Sequence, residues 1–435
     1  MNSLFSTMRA STLSVIVAIF LLFELGAAEG VAEPAKKSYD NPEPHKSNLQ
    51  FFTNTALADS NCANIYSQNA RVKSVYRVLF GGDTSFGENY QAWLERHGQE
   101  NILKSRGYAY SLAKLHPLLK KADIAIVNLE TPLVSGGQSE PAVTKKYMHW
   151  ADGPKTTHAL KIHNIRIVSL ANNHTLDFGI DGLQQTLRGL DQSGLKWLGA
   201  GLNEKDAGEP FHCSVEFGAK RFALYVVAGF EYRRNYDKQH KFYAAGDRGG
   251  VNAWKKITAA GQIRVLRKRV HNAFIVAFPH WGDNYVGRST AQQKLARAMI
   301  NAGADLVIGH GAHILQEIEP YKGKWIIYGL GNFVFNSPGR YQHRNVKAYS
   351  LAAMLNIREI AGRFRTSLHL YPIFSDNLIT NYQPRMVAGH NLKEIRKLLV
   401  PDSAGARRAT RMPGSSKDEI GGHFTLDLGA VLPMD

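Results

Sequence analysis

Residues 168–179 read VSLANNHTLDFG, and this stretch sets how the rest of the chain is interpreted. An apolar strand pattern runs directly into Asn172, Asn173 and His174, with Asp177 close behind. Polar groups at the mouth of a buried strand are costly unless something satisfies them. We therefore expect these side chains to face a ligand at the carboxyl end of a strand.

The surrounding sequence has the alternating pattern of an α/β protein. Eight β-rich runs between Val75 and Phe333 alternate with helical patterns. Several of these runs are almost continuously apolar, which indicates strands buried on both faces beneath helices. Two later runs, YSLAAMLNI (349–357) and RTSLHLYPIF (365–374), are typical of antiparallel strands. The sequence therefore predicts a layered α/β sandwich with a mixed sheet.

Composition divides the chain of 435 residues into four segments. Arg9, an apolar run and the small-residue stretch GAAEG follow one another at the N-terminus, so residues 1–28 are predicted as a signal peptide cleaved after Ala28 or as an uncleaved membrane anchor. Residues 29–72 are predicted as a linker, residues 73–392 as the folded domain and residues 393–435 as a loose C-terminal tail. Either interpretation of the N-terminus predicts export to the periplasm or the cell surface.

Charge and cysteine content narrow the possible partners. The formal net charge of +17 and the pI near 9.7 predict a surface that attracts anions. The sequence has no zinc-finger spacing, RRM signature or basic heptad region, which argues against nucleic acid as the partner. Cys62 and Cys213 are the two cysteines; an oxidising compartment permits a disulfide between them, and two buried thiols are the alternative.

Side chains that can hold a metal ion recur at the ends of the predicted strands. In chain order they are Asp83, Asn128 and Glu130, Asn173 and His174, His280, His310 and His313, and Asn332. Any one of them has another explanation as a turn or cap residue, but their recurrence at one edge of a sheet favours a site. Carboxylate, amide and imidazole donors suit Mn²⁺, Zn²⁺ or Fe²⁺, whereas the cysteine count excludes a thiolate site.

Six motifs carry a family resemblance. In order they are GDTSFG, NLETPL, ANNHTLDFG, PHWGDNY, GHGAHILQEIE and YGLGNFVF. Together they resemble the motifs of the poly-gamma-glutamate capsule synthesis (CapA-type) family, a branch of the calcineurin-like metallophosphoesterase superfamily, across residues 75–380. The resemblance implies a four-layer sandwich of two mixed β-sheets flanked by helices, with one or two divalent ions at the strand ends.

The resemblance also implies a role for each motif residue. A first ion would be bound by Asp83 and His313, a second by Asn173, His280 and His310, and Glu130 would bridge the two. His174 would be the proton donor near the leaving group, with Asp177 either orienting its imidazole or capping the following helix. The tyrosines and arginines of FEYRRNY (230–236) either line the cleft for an anionic substrate or form a solvated loop.

Two positions depart from the superfamily pattern. Ser85 stands where the superfamily usually has a histidine ligand of the first ion, and Glu130 stands where it has the shorter Asp. We therefore expect the second ion to be held more firmly, in a mononuclear or weakly dinuclear centre.

Three functions remain open on these grounds. The first, implied by the resemblance, is a part in making, exporting or attaching an anionic extracellular polymer, poly-gamma-glutamate, within a membrane-bound synthesis complex and through metal-dependent hydrolysis or transfer. The second is a metallophosphoesterase acting on a phosphorylated envelope metabolite. The third is a binding or assembly subunit without turnover, which Ser85 favours.

Overall fold

A computed structural model describes residues 74–134, 147–387, 389–400 and 414–432, which all fall within one compact unit. The predicted signal or anchor segment, the linker and Cys62 lie outside the described residues. Cys213 is buried and disulfide-bonded. None of the helices in the described part of the chain combines the length and the apolar character needed to cross a bilayer.

Strands supply most of the framework. Those of the described residues are β1 (Tyr76–Ser85), β2 (Ile124–Leu129), β3 (Ile165–Ser169), β4 (Lys196–Leu198), β5 (Ala200–Gly201), β6 (Phe211–Phe217), β7 (Lys220–Glu231), β8 (Gly250–Val251), β9 (Ala253–Trp254), β10 (Phe274–His280), β11 (Leu306–Ile308), β12 (Ile318–Tyr321), β13 (Lys324–Ile327), β14 (Asn332–Phe335), β15 (Tyr349–Ile360), β16 (Arg363–Phe374), β17 (Arg385–Met386), β18 (Gly414–Lys417) and β19 (Gly422–Val431).

Most of these strands form two mixed sheets. The first has the order β18-β19-β16-β15-β1-β2-β3-β4, with β14 beside β1 and β17 beside β16. Its strands β1 to β4 are parallel, and β15, β16 and β19 are antiparallel neighbours. The second sheet has the order β12-β13-β11-β10-β7-β6, with β9 beside β7. Its central strands are parallel and its edge strands β6 and β12 antiparallel.

Helices follow many of the strands. They are α1 (Glu88–Arg96), α2 (Ile102–Ser105), α3 (His116–Lys121), α4 (Gly153–Ile162), α5 (Gly179–Ser193), α6 (Glu204–Gly208), α7 (Arg234–His240), α8 (Lys256–Arg269), α9 (Thr290–Ala302), α10 (Asn377–Thr380) and α11 (Leu392–Leu399), with 3₁₀ turns at Tyr108–Leu115 and Gly389–Asn391.

Strand β10 shows how the second sheet separates two apolar layers. Phe274, Val276 and Phe278 belong to the core that the two sheets share, and Phe278 lies 5.7 Å from Phe80 of β1, centroid to centroid. Ile275 and Ala277 point the other way and pack with residues of α8 and α9. This alternation follows from the two-residue period of a strand. The prediction of two mixed β-sheets flanked by helices is confirmed.

Local sequence signals explain where the covering helices begin and end. Helix α5 buries Leu183, Leu187 and Leu190, which recur at helical spacing, and it ends at Gly194 with a left-handed φ of 72°. Helix α9 begins with a capping box, in which Ser289 and Gln292 each accept the other's backbone N–H. These helices pack on the sheets and hold the strand ends in place.

The C-terminal segment corrects one prediction. Residues 393–435 were expected to form a loose tail, but β19 pairs with β16 over Phe364–Leu370 and Phe424–Val431, and β18 pairs with β19. Phe424 and Leu426 are buried because apolar residues alternate along β19. The Pro- and Ser-containing residues around β18 predicted a loop, whereas the two-residue period of β19 identifies a strand.

Candidate metal centre

The predicted ligands converge because the strands that carry them end at one place. Asp83 of β1 is in register with Asn128 of β2 and with Asn332 of β14. On the second sheet, His280 ends β10 and forms a parallel bridge with His310, which follows β11. Ligand side chains at the carboxyl ends of parallel strands therefore meet between the two sheets.

The backbone before Asp83 is closely packed. A Cβ atom at Gly82 would lie 1.9 Å from the carbonyl oxygen of Gly331, so only glycine fits there. The next residue donates its backbone N–H to the same oxygen, at 3.0 Å. This close approach of β1 to the β13–β14 connection fixes where the Asp83 carboxylate lies.

Asp83 is the centre of the cluster. Its Oδ1 lies 3.4 Å from His310 Nδ1 and 3.9 Å from His280 Nδ1, and its Oδ2 lies 3.2 Å from His313 Nδ1. Oδ2 also accepts the backbone N–H of Gly311 at 3.1 Å. Two groups of donor atoms lie within 4.8 Å of one another, Asp83 with His280 and His310, and Asp83 with Glu130 and His313. Asp83 is thus the residue that both groups share.

The buried charges perturb one another strongly. Burial alone would raise the pKa of Asp83, but hydrogen bonds with His310 and His313 and the positive charge of His313 hold it well below its usual range. Burial, reinforced by the Asp83 charge, raises the pKa of Glu130 well above its usual range. Burial lowers the pKa of His313, but the charges of Glu130 and Asp83 outweigh it and raise this pKa to about 9. Burial and His310 hold the pKa of His280 well below its usual range.

Two buried atoms of the cluster have no hydrogen-bond partner among the described residues. They are Oε1 of Glu130 and Nε2 of His310. Buried polar atoms in folded proteins are nearly always satisfied, and a cation is one of the groups that can satisfy them. Two carboxylates and three imidazoles in one buried cluster fit a divalent transition metal. The residues present therefore fit the ion or ions predicted from the sequence.

Asn173 contributes an amide oxygen to the same region. Its Oδ1 lies 2.8 Å from Nε2 of His280, and its side chain forms a hydrogen bond with the hydroxyl of Tyr236. Burial raises the pKa of Tyr236, and the Asn173 hydrogen bond opposes this rise, as expected when the amide N–H donates to the phenol oxygen. Tyr236 therefore holds the amide with its oxygen directed at the histidines.

His174 lies beside the cluster in a separate arrangement. Its Nδ1 is 2.7 Å from Oδ2 of Asp177, which also accepts the backbone N–H of His149 at 2.8 Å. Helix α5 has Phe178 at its N-cap without a side-chain cap bond, so the contacts of Asp177 are those of a group that orients the imidazole. The ring of His149 stacks on that of His174, with the ring centroids 3.7 Å apart and an angle of 2° between the ring planes. Burial and the nearby His174 lower the pKa of His149 to about 3 and keep its ring neutral.

Three further residues lie near the cluster: the sequence singled out Asn128 and the segment that contains Tyr236, but not His149. Asn128 donates its amide N–H to Asp83 Oδ1 at 3.0 Å and to Glu130 Oε2 at 3.2 Å, so it partly offsets their repulsion. Its position at a strand end was the available signal. His149 and Tyr236 come from outside the strand ends, and only the composition of FEYRRNY pointed to Tyr236.

Ser85 and Glu130, the two positions that depart from the expected ligand pattern, have visible contacts. Ser85 is buried, and its Oγ accepts the backbone N–H of Gly87 at 3.3 Å, which is a local turn contact. Glu130 reaches His313 Nε2 only at 3.7 Å. The group that contains Glu130 therefore has one imidazole, whereas the other has two.

Comparison with known proteins places the chain in a family. A model of the bacterial capsule synthesis protein PGA_cap family matches residues 77–337. The chain belongs to this family. The resemblance of the six motifs to the poly-gamma-glutamate capsule synthesis family is confirmed, and the matched residues include every residue of the candidate metal centre.

Curated relatives of the family align over part of their length. The capsule biosynthesis protein CapA of Bacillus anthracis is 30% identical over 247 residues, which are 55% of this chain and 57% of that protein. The PGA biosynthesis protein CapA of Bacillus subtilis is 28% identical over 266 residues, 60% of this chain and 64% of that protein. A probable polyglutamine synthesis accessory protein of Mycobacterium tuberculosis is 30% identical over 258 residues, 58% of this chain and 66% of that protein. The chain thus spans less than two thirds of each of these relatives.

A solved structure described as GAP50, the anchor in the inner membrane complex of Plasmodium, is 11% identical with a TM-score of 0.28. It covers 70% of this chain and 89% of its own length, and similarity at this level supports no conclusion.

Proposed function

We propose that this protein is an exported, metal-dependent hydrolase or transferase that takes part in making, exporting or attaching an anionic extracellular polymer, with poly-gamma-glutamate as the first candidate. The observation that carries the proposal is the buried cluster around Asp83, with its two unsatisfied atoms. Membership in the PGA_cap family and the names of the relatives support the choice of polymer. The positive net charge of the chain suits a polyanion.

The cluster would hold the metal through a defined set of side chains. They are Asp83, Glu130, Asn173, His280, His310 and His313. When bound, a divalent ion of this kind activates water and stabilises negative charge on the reacting oxygen. The identity of the ion, Mn²⁺, Zn²⁺ or Fe²⁺, is part of the proposal and follows from the mixed oxygen and nitrogen donors.

His174 would supply the proton that the leaving group needs. Nδ1 of this imidazole would keep its proton and donate it in a hydrogen bond to Oδ2 of Asp177, which lies at 2.7 Å, so Nε2 is the atom that would deliver a proton. His149 stacks on the same ring and would keep it in one orientation. The arrangement supports general acid catalysis next to the metal centre.

The proposal is tested by measuring metal and turnover on the same samples. Protein purified without chelator should contain a divalent transition metal, and addition of Mn²⁺ or Zn²⁺ should stabilise the metal-free protein thermally. Turnover is measured on poly-gamma-glutamate and, as a comparison, on a panel of phosphoesters. Absence of metal together with absence of thermal stabilisation would refute the proposal.

Two variants separate the acid from the ligands. His174→Ala should retain its metal while turnover falls about 10²–10⁴-fold, because a general acid contributes about that much to the rate. Asn173→Ala is the contrasting variant and should lose metal. Loss of metal in a folded His174→Ala protein would make this imidazole a ligand instead of an acid.

Ser85 favours a second candidate function. With a serine in place of an imidazole at this position, the protein could keep the scaffold and one ion while acting as an assembly or binding subunit of a membrane-bound synthesis complex. Full metal content without turnover on the polymer or on any phosphoester would support this candidate. Turnover restricted to phosphoesters would instead identify a metallophosphoesterase acting on an envelope metabolite.

A further inference from the structure

Helix α8 (Lys256–Arg269) carries a strongly basic outer face. Between Asp247 and Asp283 the sequence contains no Asp or Glu, so no acidic residue in this stretch offsets its positive charges. Four exposed cations of the helix form no ion pair with any residue that the structure describes. They are Lys256, Arg264, Lys268 and Arg269. An unpaired basic face of this kind attracts polyanions.

The outer face also exposes two aliphatic side chains. Ile257 is 85% exposed and Val265 is 50% exposed, whereas Ala259, Ala260 and Ile263 are buried against the second sheet. Residues three, four and seven positions apart lie on one side of a helix. Ile257 therefore lies on the side of Arg264, and Val265 on the side of Lys268 and Arg269. The face therefore combines positive charge with small apolar contacts.

The start of α8 lies at the sheet edge that carries the metal centre. Strand β9, which precedes the helix, pairs with the end of β7, and Phe230 of β7 is in register with both Ala253 of β9 and His280 of β10. The first cation after β9 is Lys255, whose Nζ lies 3.9 Å from the ring centroid of Tyr232. The helix thus begins near His280 and runs away from it along the sheet.

Arg233 connects the helix to the metal centre. It follows Tyr232 directly, and its Nη2 donates to the carbonyl oxygen of Gly282 at 2.6 Å, two residues beyond His280. Its Nη2 also lies 3.6 Å from Oε2 of Glu231 and 3.6 Å from Oδ1 of Asp283, so these two carboxylates offset part of its charge. We define the basic track as Arg233, Lys255, Lys256, Arg264 and Lys268, a series of cations that runs from the rim of the metal centre along α8.

We propose that the basic track binds an extended, carboxylate-bearing polymer chain and leads it into the metal centre. The choice of polymer rests on the proposed function, whereas the surface rests on the charges and exposed side chains of α8. A γ-linked glutamate chain presents a carboxylate on every residue and methylene groups between amide bonds, which match the cations and the aliphatic side chains of the track. Single-stranded nucleic acid prefers exposed aromatic stacking surfaces, and the ring of Tyr232 beside the track is already covered by Lys255.

The test compares two triple variants that remove equal charge. The first variant, Lys256→Gln, Arg264→Gln and Lys268→Gln, removes three track cations from α8. The control, Arg363→Gln, Arg365→Gln and Lys417→Gln, removes three exposed cations from β16 and β18 of the other sheet. Binding of the full chain to poly-gamma-glutamate is measured at low and high ionic strength, with melting temperature as the control for folding.

We expect the track variant to raise the Kd for the polymer at least about tenfold at low salt and the control variant less than about twofold, because only the track charges face the polymer. The difference should vanish near 1 M salt, where the screening length falls to about 3 Å. Equal loss in both variants would show a general charge effect and overturn the proposal. Stronger binding to anionic phospholipid vesicles or to single-stranded DNA than to the polymer, lost in the track variant, would also overturn it and assign the surface to a membrane or a nucleic acid.

Binding and turnover distinguish this inference from the proposed function. If the unmodified protein binds the polymer through the track but never cleaves or transfers it, the proposed function fails and the inference stands. If the unmodified protein turns over the polymer and the track variant binds it equally well, the inference fails and the proposed function stands.

Discussion

The two halves of the candidate metal centre share Asp83 but differ in charge. The imidazole half consists of Asp83, His280 and His310, and the carboxylate half consists of Asp83, Glu130 and His313. In the imidazole half, burial keeps His280 deprotonated, so its nitrogen is already in the form that binds a metal. In the carboxylate half, the charges of Glu130 and Asp83 raise the pKa of His313 to about 9, so this imidazole retains a proton until an ion displaces it.

The two halves therefore differ in whether their ligands are already in the protonation state that binds a metal. A metal must displace the proton of His313 to enter the carboxylate half, and the work of removing this proton lowers the apparent affinity of that half for the metal. The imidazole half requires no such displacement at His280 and has Asn173 as an additional oxygen donor nearby. We therefore expect the imidazole half to hold its ion more tightly, and four measurements test the comparison.

Removal of the shared residue should have the largest effect. Asp83→Ala deletes the carboxylate that belongs to both groups of donors, so both halves should lose their ion. Elemental analysis of the purified variant measures this loss directly. Arg363→Ala is the matched control, because it replaces an exposed residue at the start of β16 that belongs to neither half, and it should retain full metal content. An Asp83→Ala protein that still holds one ion tightly would show that the halves do not share this ligand.

Removal of one histidine from each half should separate the two ions. His280→Ala should abolish the tighter binding, whereas His313→Ala should leave it and affect only the weaker ion. Calorimetric titration of metal-free protein with Mn²⁺ or Zn²⁺ gives both affinities. Equal affinities in the unmodified protein, or loss of the tighter ion in His313→Ala, would contradict the comparison.

The pH dependence of metal binding should differ between the halves. Below its pKa of about 9, His313 carries a proton that an entering ion must displace, so affinity of the carboxylate half should rise with pH by up to about tenfold per unit between pH 6 and 9 and then level off. The imidazole half should change less because His280 is already neutral. Parallel curves for the two ions would show that proton displacement does not distinguish them.

The smallest effect is expected from the residue that orients Asn173. Tyr236→Phe removes the phenol oxygen that holds the amide, and loss of such a supporting contact lowers metal affinity by about tenfold. Only the imidazole half should respond, because Asn173 contacts His280. Tyr232→Phe, in the same segment, is the control. An equal change in both ions would assign Tyr236 a general structural role.

The fold was largely predictable from the sequence because its central strands are apolar and end in polar side chains. Strands β1, β2, β3, β10 and β11 all show this pattern, and their parallel pairing brings the ends together. The C-terminal strands were missed. The turn-forming residues around β18 favoured a loop, although apolar residues alternate along β19. These apolar residues are buried where β19 pairs with β16.

The candidate site was predictable only where ligands follow strands directly. His149 lies between β2 and β3, in a stretch with no strand pattern, and approaches His174 through the backbone contact with Asp177. Tyr236 lies on the short helix α7, and its contact with Asn173 depends on how that segment folds over the second sheet. Sequence spacing carries no information about such tertiary contacts, because they bring together residues that are distant along the chain.

The position of β15 beside β1 has a consequence for the limits of the domain. The family match ends at residue 337. Residues Tyr76–Phe80 of β1 nevertheless pair with Ala353–Ile357 of β15, which lie beyond that limit. A protein shortened after residue 337 would leave this edge of β1 with unpaired backbone groups, which are a template for edge-to-edge aggregation. The region that defines the family is therefore shorter than the region needed to keep the strand that carries Asp83 soluble.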